Sequence, residues 1–301
     1  MSKTGDLAML ERFKHRRVLI TGGGSGLGAA LVKQFLKLRW QVWIADIDLD
    51  RAQRFIDSLT ESKDYSADFL TQAVKLSHCD ISDIHSFQQL QSEVENTWGN
   101  LDVLINNAGI ASSGLLEDTT PEQWNRTLGV NLTGVYHGCY LFAPLLSRDG
   151  PSHMVNVASF AGIALAPAML SYNVSKAGVI ALSESLKMEL CVQNISVSVA
   201  CPAFFETNLV SSMSGTPEAI KAQVNKWMKA SKVNADQVAE QIVKSIDANK
   251  FMTIAHDYAR KLHWLKRFFP NFYYRKVMAK MPSMVARLKS KHTPSSNSSN
   301  S

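Results

Sequence analysis

Short apolar runs rich in Val, Ile and Leu alternate along the chain with longer segments of helical period. The runs predict strands over residues 17–21, 41–45, 74–79, 101–106, 153–157, 195–200 and 251–256. The segments between them predict helices over 26–38, 83–98, 123–146, 172–192 and 235–249. Strands alternating with helices of this length imply βαβ units and a parallel sheet. The runs are apolar throughout rather than alternating, as a sheet covered on both faces requires. The expected fold class is α/β: a doubly wound parallel seven-stranded sheet with helices on both faces, spanning residues 1–256. A basic and aromatic helical extension follows over 257–293. The polar end, PSSNSSNS at 294–301, reads as a disordered tail.

Composition fits that reading. The 301 residues are 46% hydrophobic and 19% charged, enough to bury a full core, which excludes a mainly disordered chain. Sixteen Gly and nine Pro exclude a collagen-like one. Cys79, Cys139, Cys191 and Cys201 have no CxxC spacing, so no zinc site is expected and a reducing, cytoplasmic compartment is. The first residues carry charges throughout and no apolar run, so no secretory signal is expected. The longest uncharged run, 154–175, contains Asn156, Ser159, Pro167, Ser171 and Asn173 and would make a poor spanning helix.

Charge is unevenly distributed. Ten of the 32 basic residues and none of the 26 acidic residues lie after Asp257. Residues 1–257 therefore carry a net −4 and the last 44 residues +10. The overall basicity gives no reason to expect nucleic acid on the body of the protein.

Two motifs carry chemistry. The first predicted strand ends in Thr21-Gly22-Gly23-Gly24-Ser25-Gly26-Leu27-Gly28 and runs into an amphipathic helix. Such glycines let the backbone approach a pyrophosphate, and the helix N-terminus offers free N–H groups to it. An ordinary glycine-rich turn would read the same way in isolation. The second strand ends at Asp46, where a carboxylate can accept hydrogen bonds from adenosine ribose hydroxyls and repel a 2′-phosphate. Ser25 and Ile47 bring no basic group to offset that repulsion, so NAD is expected over NADP. The competing reading of Asp46 is a solvated loop acid.

Further along, Tyr172 and Lys176 lie four apart at the start of a predicted helix and share a face. A nearby ammonium stabilises phenolate, which would bring the Tyr hydroxyl towards working pH as an acid/base. Ser159, just after a strand, is placed to hold the same substrate oxygen.

Taken in order, these residues resemble the short-chain dehydrogenase/reductase family, a Rossmann-type fold that binds NAD or NADP. The resemblance covers roughly residues 15–255. It rests on TGGGSGLG at 21–28, Asp80, Asn106-Asn107-Ala108-Gly109, Asn131 in VNLTG, Ser159, and Tyr172 with Lys176. It implies that Gly22, Ser25, Gly26, Leu27 and Gly28 line the pyrophosphate and that Asp46 holds the ribose. Asp80 and Ile81 would face the adenine, and Asn107, Ala108 and Gly109 would support the sheet and touch the cofactor ribose. A catalytic tetrad is implied as well. Asn131 would seat a water in a proton relay, Ser159 would fix the carbonyl oxygen, Tyr172 would be the acid/base, and Lys176 would bind the nicotinamide ribose. One departure is Pro202-Ala203, where the family often has Pro-Gly. Ala avoids positive φ, so the loop bearing the implied nicotinamide contacts Pro202, Phe205 and Thr207 is expected to follow a different path.

The stretch with Met213, Gly215, Pro217 and Met228 would be the family's substrate lid. Ile163, Ala164, Leu165, Met169, Phe204 and Phe205 make an apolar pocket the expectation, with core or interface packing the alternative. The expected activity is NAD-dependent interconversion of an alcohol with a ketone or aldehyde on an apolar substrate of steroid, retinoid or long-chain type. An NADP-dependent ketoacyl-type reductase is the enzymatic alternative. A non-catalytic dinucleotide-sensing or membrane-tethered protein is the alternative of another class. The predicted helices 123–146 and 172–192 resemble the pair that gives the family its homodimers and homotetramers. In the tail, Leu262, Leu265, Phe269, Phe272 and Tyr273 recur at helical steps among basic residues, with Trp264 and Phe268 adding aromatic bulk. Pro270 and Pro282 divide the run into short helices. That composition suits a peripheral contact with a membrane surface, and equally a cover over the lid or a subunit contact. No nucleic acid partner is expected.

Overall fold

The computed structural model describes residues 10–146, 148–205 and 218–290. In chain order the elements are β1 (Arg17–Thr21), α1 (Gly26–Lys37), β2 (Gln41–Asp46), α2 (Leu49–Glu61), α3 (Ala67–Ala73), β3 (Val74–His78) and α4 (Ile84–Trp98). There follow β4 (Val103–Asn106), α5 (Pro121–Leu128), α6 (Gly134–Leu146), β5 (Ser152–Val157), the short α7 (Ala161–Ala164), α8 (Leu170–Glu189) and β6 (Ile195–Ala200). The chain continues through α9 (Glu218–Lys229), α10 (Ala235–Asp247), β7 (Met252–Thr253), α11 (Asp257–Phe268), α12 (Pro270–Met278) and α13 (Met281–Ser290).

All seven strands are parallel, in the order β3-β2-β1-β4-β5-β6-β7. Alternate strand residues point to opposite faces. Val18, Ile20, Val42 and Ile44 join a core with α1, α2, α3 and α10. Leu19, Trp43 and Leu104 join a second core with α4, α6 and α8. The expected two-faced sheet is therefore present. Its order reverses direction between β1 and β4, which opens a crevice at the strand ends there.

The predicted helix over 123–146 is not continuous. A π-helical turn, Gly129–Thr133, separates α5 from α6, and Asn131 sits in it. The predicted helix over 172–192 begins earlier, at Leu170, and gives way to a 3₁₀ turn at Leu190–Gln193. β4 starts later than its apolar run because Asp102 is used differently: its carboxylate accepts the Arg17 backbone N–H at 2.9 Å. β7 shrinks to two residues. Helices α2, α3 and α9 were not among the predicted elements. Asp48 and Ser66 cap the first two through their side chains.

At the opposite end of the sheet from the crevice, His153 is fully buried between Arg12 and the Ser198 hydroxyl, the latter 2.9 Å away. Burial first, and the Arg12 charge second, push its imidazole down to about 3 from 6.5. Between those values the unfolded chain binds the extra proton, so stability falls as pH drops from 6.5. Thermal melts from pH 7 to pH 4 are expected to show a gentler decline for His153→Gln than for the wild type. Parallel slopes would show that His153 does not carry this acid sensitivity.

Candidate active site

The ends of the strands and the loops that follow them enclose a cavity of about 1430 Å³. A single small ligand commonly takes roughly 300–1,000 Å³, so this space suits a dinucleotide together with a second molecule.

Gly22 (φ +64°) and Gly26 (φ +55°) adopt the left-handed conformation that side chains disfavour. At Gly28 the constraint is steric, since a Cβ there would lie 2.0 Å from the Gly22 carbonyl oxygen. Ser25 precedes α1 without capping it through its side chain, and the first turn has no acidic residue. The N–H groups of that turn therefore face the cavity as donors for an anion. A bare, tightly turned backbone with free donors fits a diphosphate.

Asp46 ends β2 as a buried residue, not a solvated loop acid. Its Oδ2 accepts the Gly24 N–H at 2.9 Å, and its Oδ1 accepts the Asp48 N–H at 3.1 Å. The third partner is Arg51, whose guanidinium donates to Oδ1 at 2.7 Å. This corrects the expectation that no basic group lies near. Arg51 stands five residues on in sequence, but the first turn of α2 folds it back onto the carboxylate. A carboxylate offers about four acceptor positions, so about one on Asp46 is left after these three bonds.

Asp80 Oδ1 accepts from the Ser82 N–H and hydroxyl at 2.9 and 2.6 Å, with Ile81 beside it on the cavity wall. Asn107 donates from Nδ2 to the carbonyls of Thr21 and Gly22, at 2.9 and 3.1 Å. Thr21 Oγ1 in turn accepts the N–H groups of Asn107 and Ala108, each at 3.0 Å. This clamp holds the glycine loop beside Gly109.

Tyr172 and Lys176 occupy the first two turns of α8 and are both buried. The Lys176 ammonium donates to the Val157 carbonyl at 2.9 Å and lies 5.9 Å from the Tyr172 ring centre. Burial pulls its amine down to about 8 from 10.5. Burial also raises Tyr172, with a hydrogen bond from Ser159 acting the other way. The expected lowering of the phenol is thus reversed here, because desolvation of the phenolate outweighs the Ser159 hydrogen bond. Ser159 Oγ lies on the cavity wall and accepts the Ala161 N–H at 3.1 Å.

Asn131 is placed differently from the others. It is wholly buried and off the cavity wall. Its side chain exchanges two 2.8 Å hydrogen bonds with the Ile110 backbone and donates to Ser175 Oγ. Gly109 lies against both Asn131 and Lys176, since a Cβ there would meet their side chains at 3.0 and 3.4 Å. Gly28 is likewise off the wall. The other predicted residues, from Gly22, Ser25, Gly26 and Leu27 to Pro202 and Phe205, line the cavity together. Thr207 lies outside the described residues, as do Met213, Gly215 and Pro217. Ala203 is buried and not left-handed, so the loop after β6 runs without the glycine conformation.

Of the expected apolar pocket residues, Ala164, Leu165, Phe204 and Phe205 line the cavity. Ile163 and Met169 do not, and pack into the cores. Sequence reasoning missed the wall supplied from the tail: Leu262, Tyr273, Val277, Met281 and Met284. The Tyr273 hydroxyl donates to the Ala164 carbonyl at 2.6 Å, fastening α12 over the pocket. The helical steps of the tail were legible, but nothing local said what their inner face would meet. Among the described residues no group of three or more His, Cys, Asp and Glu is placed to hold a metal ion. All four cysteines are free thiols.

The family model for short chain dehydrogenases matches residues 16–218, and the chain belongs to that family. It is 29% identical over 262 residues to a probable oxidoreductase, EphD, of Mycobacterium tuberculosis, covering 84% of this chain. The chain spans only 43% of the length of that relative. It is 30% identical over 241 residues to a probable galactose dehydrogenase, GalD, of Rhizobium meliloti, covering 80% of this chain and 91% of the relative. Among solved structures, a short chain dehydrogenase/reductase from Burkholderia phymatum in complex with NAD superposes with a TM-score of 0.76 at 28% identity. That match covers 86% of this chain and 95% of the other. Proteins of this fold bind NAD or NADP.

Two outcomes test this geometry. Gly28→Ala is expected to push the loop off Gly22 and weaken dinucleotide binding by at least about tenfold in calorimetry. Unchanged binding in a folded variant would mean that the loop does not hold the diphosphate. Lys176→Met removes a desolvated amine and is expected to raise the melting temperature at pH 7. Between pH 8 and 10.5 the unfolded wild type holds more protons than the folded form, so wild-type stability rises and the gain shrinks. A gain independent of pH would exclude the amine as its source.

Proposed function

We propose that this chain is an alcohol–carbonyl oxidoreductase that prefers NAD. Its substrate would be an apolar alcohol or its ketone or aldehyde, of steroid, retinoid or long-chain type. The observation that carries this reading is the meeting of Ser159, Tyr172 and Lys176 on the wall of a cavity. That cavity has the glycine loop at one end and Phe204, Phe205, Leu262, Met281 and Met284 at the other.

When bound, the dinucleotide supplies the nicotinamide carbon that gives or takes the hydride. Everything else falls to the chain. The first turn of α1 holds the diphosphate, and Asp46 accepts a ribose hydroxyl. Asp80 and Ile81 border the adenine, and Asn107, Ala108 and Gly109 border the ribose on the nicotinamide side. Pro202, Phe205 and Thr207 are assigned to the nicotinamide itself. Ser159 donates to the substrate oxygen. Tyr172 hands its proton to that oxygen in reduction and recovers it in oxidation. As burial keeps Tyr172 a phenol in the free chain, it stands ready as a donor, and oxidation is expected to quicken with rising pH. Lys176 reaches the cofactor ribose and, with Asn131 behind Gly109, completes the path for the proton.

The preference for NAD rests on Asp46. A 2′-phosphate would meet a buried carboxylate, although Arg51 offsets part of its charge. The enzymatic alternative, an NADP-dependent reductase, draws its support from that arginine. Homodimers or homotetramers through α6 and α8 are part of the proposal. Tyr136, Tyr140, Val174 and Met188 on those helices are exposed apolar side chains suited to such contact.

Nicotinamide absorbance with NAD and NADP, across alcohols of graded chain length and ring size, tests the reading. Turnover is expected with NAD and should rise with substrate apolarity. Tyr172→Phe should lower kcat by at least about 100-fold while dinucleotide binding persists. Binding without turnover on any alcohol would favour a dinucleotide-sensing protein instead. Asp46→Asn frees Arg51 and is expected to move the kcat/KM ratio towards NADP by about tenfold or more, with Arg51→Ala moving it the other way. An unmoved ratio in both variants would remove Asp46 as selector.

A further inference from the structure

The C-terminal helices have two unlike faces. The inner face is docked: Ala259 and Tyr273 are buried, and Lys266 donates to the Ile163 carbonyl at 2.5 Å. The outer face carries large apolar side chains in water. Trp264 is 62% exposed, Phe268 56%, Phe269 64% and Met278 66%. Trp264 and Phe268 stack on each other at 5.0 Å. On α11 the exposed Lys261, Trp264 and Phe268 follow at steps of three and four, with Arg267 beside them, so rings and cations share one stripe. On α12 the exposed Arg275 and Lys276 lie over the half-exposed Phe272 ring. No acidic residue follows Asp257.

A helix whose inner face is already packed on a protein body gains nothing in water from aromatic rings on its outer face. Rings flanked by cations do gain where apolar depth and negative charge occur together, at the surface of an anionic bilayer. Among the described residues no helix is long and apolar enough to cross a membrane, so this contact would lie along the surface. A second copy of the chain is a poorer fit. A two-fold contact through this face would set two uniformly basic surfaces against each other.

We propose that the outer face of α11 and α12 docks on a bilayer containing anionic lipid. The same helices supply the apolar end of the cavity, so docking brings that end to the lipid and lets substrate pass from the bilayer to Tyr172. The delivery step rests on the apolar-substrate reading above, whereas the docking does not.

Flotation of the full chain with vesicles, without dinucleotide or substrate, tests the docking. The chain is expected to float with mixed phosphatidylglycerol and phosphatidylcholine vesicles, not with phosphatidylcholine alone, and to be released by raised salt. Trp264→Ser with Phe268→Ser, and separately Lys261→Glu with Arg267→Glu, should each weaken binding by about tenfold or more. Both pairs should keep their melting temperature and their turnover of a short soluble alcohol. A wild type that does not float, or variants that float equally well, would overturn the docking. So would an ultracentrifuge result in which the aromatic pair of changes splits a wild-type dimer that ignores vesicles. Flotation in a chain that turns over no alcohol would count against the enzymatic reading and leave the docking standing. If the chain floats and turns over soluble alcohols, apolar substrate should be consumed faster from anionic vesicles than from detergent. The absence of that difference would overturn delivery alone.

Discussion

Four hydrogen bonds tie the end of β1 to the residues just after β4, where Thr21 and Gly22 meet Asn107 and Ala108 through backbone and side-chain groups at 2.9–3.1 Å. They lie at the point where the sheet order reverses, the one place where neighbouring strands send their connections to opposite faces. The clamp continues the β1–β4 pairing past the strand ends into the crevice left there. With it, the Gly22 carbonyl sits so close to Gly28 that no side chain fits between them. The glycine loop, the α1 N-terminus and the Ala108–Gly109 wall are therefore one rigid unit, and the cavity is built outward from it.

The other half of the site trades stability for chemistry. Tyr172, Lys176, Asn131 and Asn156 are polar groups held in nearly dry surroundings. Each is answered by a specific partner: Ser159 for Tyr172, Val157 for Lys176, Ile110 for Asn131, Asn106 and Ser183 for Asn156. The π-helical turn before α6 is part of the same arrangement, since it aims Asn131 at Ile110 instead of continuing a regular helix. Extra turns of this kind inside helices are often found at functional sites. Burial moves the lysine down and the tyrosine up, so each charged form is penalised in the free chain. A bound dinucleotide and substrate change that balance, because they bring polar groups into a space that excludes water.

The tail completes the cavity in a way the Rossmann-type body alone does not. Tyr273 and Lys266 both donate to carbonyls at the end of α7, Ala164 and Ile163, just before the turn that joins it to α8. That turn holds Leu165 and Ala168 in the left-handed region, a conformation non-glycine residues keep only where their surroundings impose it. The basic extension and the segment leading to Tyr172 thus brace each other, and the apolar end of the cavity belongs to both.

The alternation of apolar runs and helical segments determined the class of fold and the seven parallel strands, because a covered parallel sheet leaves a local pattern in each strand. The glycine loop, Asp46, Ser159, Tyr172 and Lys176 were legible for a similar reason: each depends on spacing within one turn or one strand end. What the tertiary structure alone decided involves groups distant in sequence or turned by local geometry. Arg51 reaches Asp46 because α2 starts where it does. Asn131 faces Ile110 because a helix is interrupted by one wide turn. Ile163 and Met169 belong to the cores and not the pocket, a choice that one apolar residue cannot announce. Tyr172 is a raised phenol because of burial, which only the packed molecule sets. The tail, whose helical steps were plain in the sequence, owes its inner partner to the fold, since an amphipathic stripe states that a face will be buried but not against what.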